Sequence, residues 1–160
     1  MEIRTKKRLE KRWLSLPLHH IDTSVIVEAF FEDSKFYHEC KGYLNSIGYK
    51  FRGSLSLSVV GELFLVIERD IKEEFLRELF FEFFDKLIQI RKVSITSPRV
   101  DSYKTAIKLK EWDYLIEDVD SLHVATAATS RAQFFATLDE KLVSNKRIES
   151  SVGLKMIRPF

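Results

Sequence analysis

The sequence contains a single cysteine, Cys40, in 160 residues. That excludes an intrachain disulfide and a cysteine-rich zinc site. A thiol with no partner fits a reducing compartment, and a cytoplasmic location is expected. Long apolar runs are absent as well. None approaches the length needed to span a bilayer, and no apolar leader core follows the basic N-terminus, where Trp13 to Leu18 is short and carries Pro17. No membrane association is expected. An excess of one charge sign is also missing, because the formal net charge is only +2. The chain is therefore not a polycation. It shows no internal repeat, low-complexity tract or linker.

A chain of this length is one domain by expectation and can bury a proper core. An apolar fraction of 45% beside 31% charged residues fits an ordinary soluble globular protein. The charge is uneven. Residues 1–12 hold Arg4, Lys6, Lys7, Arg8, Lys11 and Arg12 against Glu2 and Glu10, a local balance of +4 that leaves −2 for the rest. Such an arm can touch nucleic acid, or it can be a solvated terminus. Residues 1–17 read as a basic extension and 18–160 as the domain proper.

Hydrophobic periodicity and breaker residues predict alternating strands and helices. Helical composition covers 5–13, and a short strand lies within 16–24. Thr23 or Ser24 is expected to cap a helix through 33. A helix over 36–48 stops at Gly48. A strand region follows at 49–58, with Leu55, Leu57 and Val59 alternating. Helices are expected at 59–69 and at 70–90, the latter capped by Asp70. A strand at 91–97 precedes a helix from Pro98 to Trp112, and 113–118 reads as a loop. A helix at 120–131, a strand at 133–138, a short helix at 139–145 and a strand at 153–159 complete the chain. This order argues for an α/β fold with a central, mainly parallel sheet.

Ligands of open parallel sheets bind beyond the carboxyl ends of the strands. Asp22 and Asp139 each follow an apolar strand. Glu62 lies in the first turns of a helix after the second strand region, and Asp120 opens the helix 120–131. Each has a structural reading: Asp22, Asp120 and Asp139 as helix caps, Glu62 as a surface charge. Together they can converge on one edge of the sheet. Four carboxylates in one cleft repel unless a cation neutralises them, and oxygen-only ligation selects Mg²⁺ or Mn²⁺ over Zn²⁺. Such ions serve phosphoryl chemistry.

The segments "HHIDTS", "SLSLSVVGEL", "DVDSLHVATA" and "FFATLDEKL" together resemble the PIN domain, including VapC-type toxin ribonucleases. The matching residues are Asp22-Thr23, Glu62-Leu63, Asp120 with Ala125 and Ala127, and Thr137 with Asp139. The resemblance spans roughly residues 18–159. It implies a three-layer α/β/α fold and a metal-dependent endoribonuclease acting on RNA. It also implies a frequent homodimer, neutralised in many members by an antitoxin protein. Asp22, Glu62, Asp120 and Asp139 would be catalytic and hold Mg²⁺ or Mn²⁺. Thr23, Ser24 and Thr137 would orient carboxylates or bound water. Ser24 departs from the family, where many members carry Asn. Asp118 duplicates the acid beside Asp120 and is a further candidate ligand; the spacing to Ala125 and Ala127 favours Asp120. Other readings are a PIN-like module that binds RNA or protein without cutting, and a phosphatase or DNA nuclease.

Among the histidines, His123 shares a helix face with Asp120 and reads as packed beside the site or touching phosphate. His19 and His20 read as strand filler, and His38 with Cys40 is not a metal pair. Trp112 and Tyr114 could stack on a base or pack. Helix 70–90 is apolar nearly all round: Phe75 and Phe81 point about 240° apart at 100° per residue. That excess calls for a partner surface, unless the helix is wholly buried.

Overall fold

The computed structural model describes residues 2–160, with side chains from residue 5 onward. The Glu2 and Arg4 side chains of the basic arm lie outside the described residues. The chain begins with α1 (Glu2–Leu14) and continues into β1 (Leu18–Ile21), α2 (Thr23–Phe30), α3 (Tyr37–Asn45), β2 (Arg52–Ser56), α4 (Leu57–Asp70) and α5 (Glu74–Gln89). The second half holds β3 (Ser94–Thr96), α6 (Val100–Trp112), α7 (Asp118–Thr129), β4 (Phe134–Ala136), α8 (Glu140–Ser144), α9 (Lys146–Val152) and β5 (Lys155–Ile157).

The five strands form one sheet in the order β3-β2-β1-β4-β5, and every neighbouring pair is parallel. Strand alternation sends side chains to both faces. Ile21 and Leu55 join a core with Val25, Cys40, Leu63 and Phe80, under helices α2 to α5. Phe135 and Met156 join a second core with Leu109, Val124 and Ile148, under α6, α7 and α9. Two helical layers therefore sandwich the sheet. Full burial of one such aliphatic or aromatic side chain contributes roughly 1.5–3 kcal/mol.

Several boundaries differ from the sequence expectation, each for a local reason. Neither Thr23 nor Ser24 caps α2; the N-cap position is Asp22, and Thr23 is the first helical residue. The alternation at Leu55, Leu57 and Val59 does not extend the strand, because the Ser56 hydroxyl accepts from the Val59 N–H and starts α4 at Leu57. Asp70 ends α4, paired with Arg69, and does not cap the next helix. Glu73 holds the N-cap position of α5 instead. Pro98 lies before α6, whose N-cap is Arg99. Gly48, at φ 87°, sits in the turn after α3, whose C-cap is Ser46. The segment after β4 breaks into two helices, because the Asn145 side chain accepts from the Ile148 N–H and opens α9.

Helix α5 is not wholly buried. Phe80 and Leu87 face the core, whereas Phe75 is 71% exposed, and Leu79 and Phe81 are also exposed. Phe64 of α4, beside the Phe81 ring, extends this apolar surface. No helix among the described residues is long and apolar enough to cross a membrane.

Candidate active site

Because all strands run parallel, their carboxyl ends share one edge. Chain order reverses on either side of β1, and a crevice opens there between β1 and β4. Asp22 follows β1 directly, and its N–H donates to the Ala136 carbonyl of β4. Asp139 follows β4 and precedes α8. Helix α4 starts at once after β2, so Glu62, its sixth residue, comes over the same edge. Asp120 is the third residue of α7. All four acids line one cleft of about 650 Å³, together with Thr23, Ser24, Lys35 and Arg69. An adjoining cleft of about 500 Å³ shares Asp120 and Asp139 and adds Lys141, Lys146 and Arg147. Asp118 is not brought to the cleft: its side chain is 87% exposed and pairs with Lys110.

Hydroxyls hold the carboxylates. Ser24 Oγ and Thr137 Oγ1 both donate to Asp22 Oδ2, at 2.7 and 2.8 Å. Thr137 Oγ1 also accepts from the Asp139 N–H at 3.0 Å, and Ser24 Oγ from the Leu138 N–H at 3.2 Å. Thr23 Oγ1 donates to Glu62 Oε2. Asp139 plays a second part as the cap of α8, its Oδ1 accepting from the Lys141 N–H at 2.8 Å. Asp22 occupies a cap position but makes no side-chain cap bond.

The electrostatics of the acids diverge. Burial pushes the Asp22 carboxyl up. The facing His123 ring and the Ser24 and Thr137 hydroxyls outweigh that and hold it below its ordinary value. Asp120 has no such donors. Burial first, then the charges of Asp22, Asp139 and Glu117, push it up to about 6 against a weaker pull from His123. Acids outnumber the cations Lys35 and Arg69 along the cleft, so its lining carries net negative charge.

His123 is fully buried. Its Nδ1 lies 3.4 Å from Asp22 Oδ1, and its Nε2 lies 3.9 Å from Glu62 Oε2. Among the described residues, Asp22, Glu62 and His123 form the one group of three whose ligand atoms lie within 4.8 Å of one another. The spacing from Asp120 put His123 on the right helix face, but its approach to two acids from other elements had no local signal. His20, on the face opposite His19, is buried with Nδ1 3.1 Å from Ser54 Oγ. Its ring is lowered to about 3 by burial, then by His123, with Asp22 opposing. His19 stacks on Phe51 and meets the Tyr43 hydroxyl. Trp112 packs against the second core, whereas Tyr114 is 82% exposed. Sequence reasoning missed the cations of the two clefts, Lys35, Arg69, Lys141, Lys146 and Arg147. Charges spread this far along a chain carry no local pattern.

Comparison with known proteins adds a family. The PIN domain model matches residues 20–147. No curated protein sequence matches the chain. In fold, the chain is similar to a chain of VapBC2 from Rickettsia felis, solved bound to a DNA fragment from its promoter. The two are 17% identical, with 88% of this chain and 98% of that chain covered and a TM-score of 0.64. FitAcB from Neisseria gonorrhoeae gives 16% identity, 88% and 97% coverage and a TM-score of 0.64. VapC20 from Mycobacterium tuberculosis, a sarcin–ricin loop cleaving toxin, gives 17% identity, 76% and 90% coverage and a TM-score of 0.61.

Proposed function

The chain belongs to the PIN domain family, and from that premise we propose that it is a metal-dependent endoribonuclease, the toxin of a toxin–antitoxin pair. The observation that carries the reading is the convergence of Asp22, Glu62, Asp120 and Asp139 on one cleft. Residues 18–160 are its nuclease domain and residues 1–17 a basic extension. The reading places the protein in the cytoplasm with its RNA substrate.

The donor set fits a hard divalent ion. Asp22, Glu62, Asp120 and Asp139 line the cleft, and Asp120 is raised by burial first and then by the charge of its neighbours. That is the charge Mg²⁺ or Mn²⁺ offsets. The four acids would hold the ion, which when bound supplies Lewis-acid polarisation of a phosphodiester and acidification of a water molecule. The remaining work belongs to the chain. Ser24 and Thr137 occupy Asp22 Oδ2 and leave Oδ1 facing the His123 ring. Thr23 fixes Glu62 in the same way. Lys35 and Arg69 on one side, and Lys141, Lys146 and Arg147 on the other, flank the acids and suit RNA phosphates. The mechanism calls for no side chain as covalent nucleophile.

The exposed apolar surface of α4 and α5 suits protein partners, a second copy of the chain and an antitoxin segment. Relatives similar in fold include toxin–antitoxin complexes, such as one from Klebsiella pneumoniae.

The test is a cleavage assay with RNA of mixed sequence, single-stranded DNA and a phosphomonoester, with Mg²⁺, with Mn²⁺ and with EDTA. RNA should be cut only with the metal. Activity that survives exhaustive chelation overturns the metal mechanism. Cleavage confined to DNA or the monoester overturns the substrate. Metal binding with no cleavage of any substrate favours a non-cutting RNA- or protein-binding module.

A further inference from the structure

We propose that His123 is a nitrogen donor of the metal centre beside Asp22 and Glu62, and that its ring nitrogen tilts the site from Mg²⁺ toward Mn²⁺. The inference rests on the metal centre proposed above.

Buried ring nitrogens ordinarily have hydrogen-bond partners. Neither nitrogen of His123 has a partner in good geometry among the described residues, although the ring is fully buried; Nδ1 has only the long approach to Asp22 Oδ1. His20 differs, since its Nδ1 meets Ser54. The ring of His123 is not stranded in apolar packing. It stands between two carboxylates, at 3.4 Å from Asp22 and 3.9 Å from Glu62. These spacings are too long for good hydrogen bonds. They are measured from opposite sides of the ring, but with a single ring nitrogen offered, the ligand atoms of Asp22, Glu62 and His123 still lie within 4.8 Å of one another. At a ligand distance of about 2.0–2.1 Å, adjacent donors of an octahedral ion lie about 3 Å apart and opposite donors about 4 Å.

The neighbouring geometry leaves Asp22 Oδ1 available, whereas Glu62 Oε2 already accepts from the Thr23 hydroxyl. Asp22 Oδ2 is taken by two hydroxyls, whereas Oδ1 faces the ring. One ring nitrogen takes the ion, and the other, as N–H, is left for the carboxylate on its own side. A carboxylate-only site suits Mg²⁺, whereas an imidazole nitrogen adds affinity for Mn²⁺ and later transition metals. The residue that sets this preference comes from the helix that also carries Asp120, three positions earlier.

The test is electron spin echo envelope modulation on the full chain loaded with Mn²⁺. The spectrum should show nitrogen coupling from a directly bound imidazole, changing to the ¹⁵N pattern when histidine is isotopically labelled. His123→Gln should abolish the coupling and His20→Gln should keep it. Titration should show Mn²⁺ affinity reduced about 10-fold or more in His123→Gln, and Mg²⁺ affinity reduced less. Mn²⁺ bound without nitrogen coupling overturns the inference and leaves the carboxylate centre standing. Coupling that persists in a folded His123→Gln also overturns it. If His123→Gln fails to fold, the wild-type and His20→Gln spectra decide, with and without label. A chain that binds Mg²⁺ but no Mn²⁺ overturns the inference alone, and one that binds neither metal refutes the centre as well.

Discussion

The Thr137 hydroxyl donates to Oδ2 of Asp22 at 2.8 Å, across 115 positions of sequence. The Thr137 Oγ1 itself accepts from the N–H of Asp139 at 3.0 Å. One buried hydroxyl therefore ties two of the candidate ligands and two strand ends together. Thr137→Val keeps the shape and removes both bonds. It should cost about 1–3 kcal/mol in chemical denaturation, because the Asp139 N–H and the Asp22 oxygen lose a partner. Mg²⁺ affinity should drop by about 10- to 100-fold in calorimetry. Thr137→Ser should restore most of both, and a Val variant that binds Mg²⁺ like wild type would dismiss the bridge.

Asp139 separates charge from capping. It caps α8 through Oδ1 and lines the acidic cleft. Asn caps about as well as Asp and carries no charge, so Asp139→Asn should leave metal-free stability unchanged or raised while cleavage falls severely. Asp139→Ala also loses the cap, at about 0.5–2 kcal/mol, and should be less stable than the Asn variant. Mg²⁺ should raise the wild-type midpoint more than either variant's. Thermal unfolding with and without Mg²⁺, beside RNA cleavage, makes the comparison. A variant that cuts RNA at the wild-type rate would remove Asp139 from the site.

The pH dependence of metal-free stability reports on Asp120. Burial and the charges of its neighbours raise it from 3.8 to about 6. Between these values the folded chain keeps a proton that the unfolded chain has lost, so stability contributed by this group falls as pH rises through the window. The loss is complete above about 6 and absent below 3.8. In EDTA, the stability of Asp120→Asn relative to wild type should therefore increase between pH 4 and pH 7. Metal binding, which needs the carboxylate, should weaken in wild type as pH falls through about 6. Parallel denaturation profiles for the two proteins would contradict this account.

The exposed aromatic face predicts assembly. Phe81 is 39% exposed and lies 5.8 Å, ring to ring, from Phe64 on α4. Phe81→Lys should lower the mass seen by light scattering or abolish antitoxin binding, while circular dichroism stays unchanged. A wild-type chain that stays monomeric and binds no partner would sink the interface.

The alternation of strand and helix was legible in the sequence because it depends on local periodicity and on breakers such as Gly48. The four acids were legible for a similar reason: each follows a strand or opens a helix, where parallel sheets gather ligands. Tertiary structure decided the rest. Strand order could not be read, since pairing β1 with both β2 and β4 joins distant segments. The break between α8 and α9 turned on one side-chain bond from Asn145. The two orphan nitrogens of His123 acquire meaning only beside Asp22 and Glu62, which other elements deliver. Asp118 and Asp120 show the limit most directly. Two positions apart on a helix, they point about 200° from each other, and spacing to Ala125 and Ala127 favoured one without excluding the other. The docking of α7 separates the two in space. Burying Val124, Ala125 and Ala127 in the core turns Asp120 to the cleft and leaves Asp118 in solvent with Lys110.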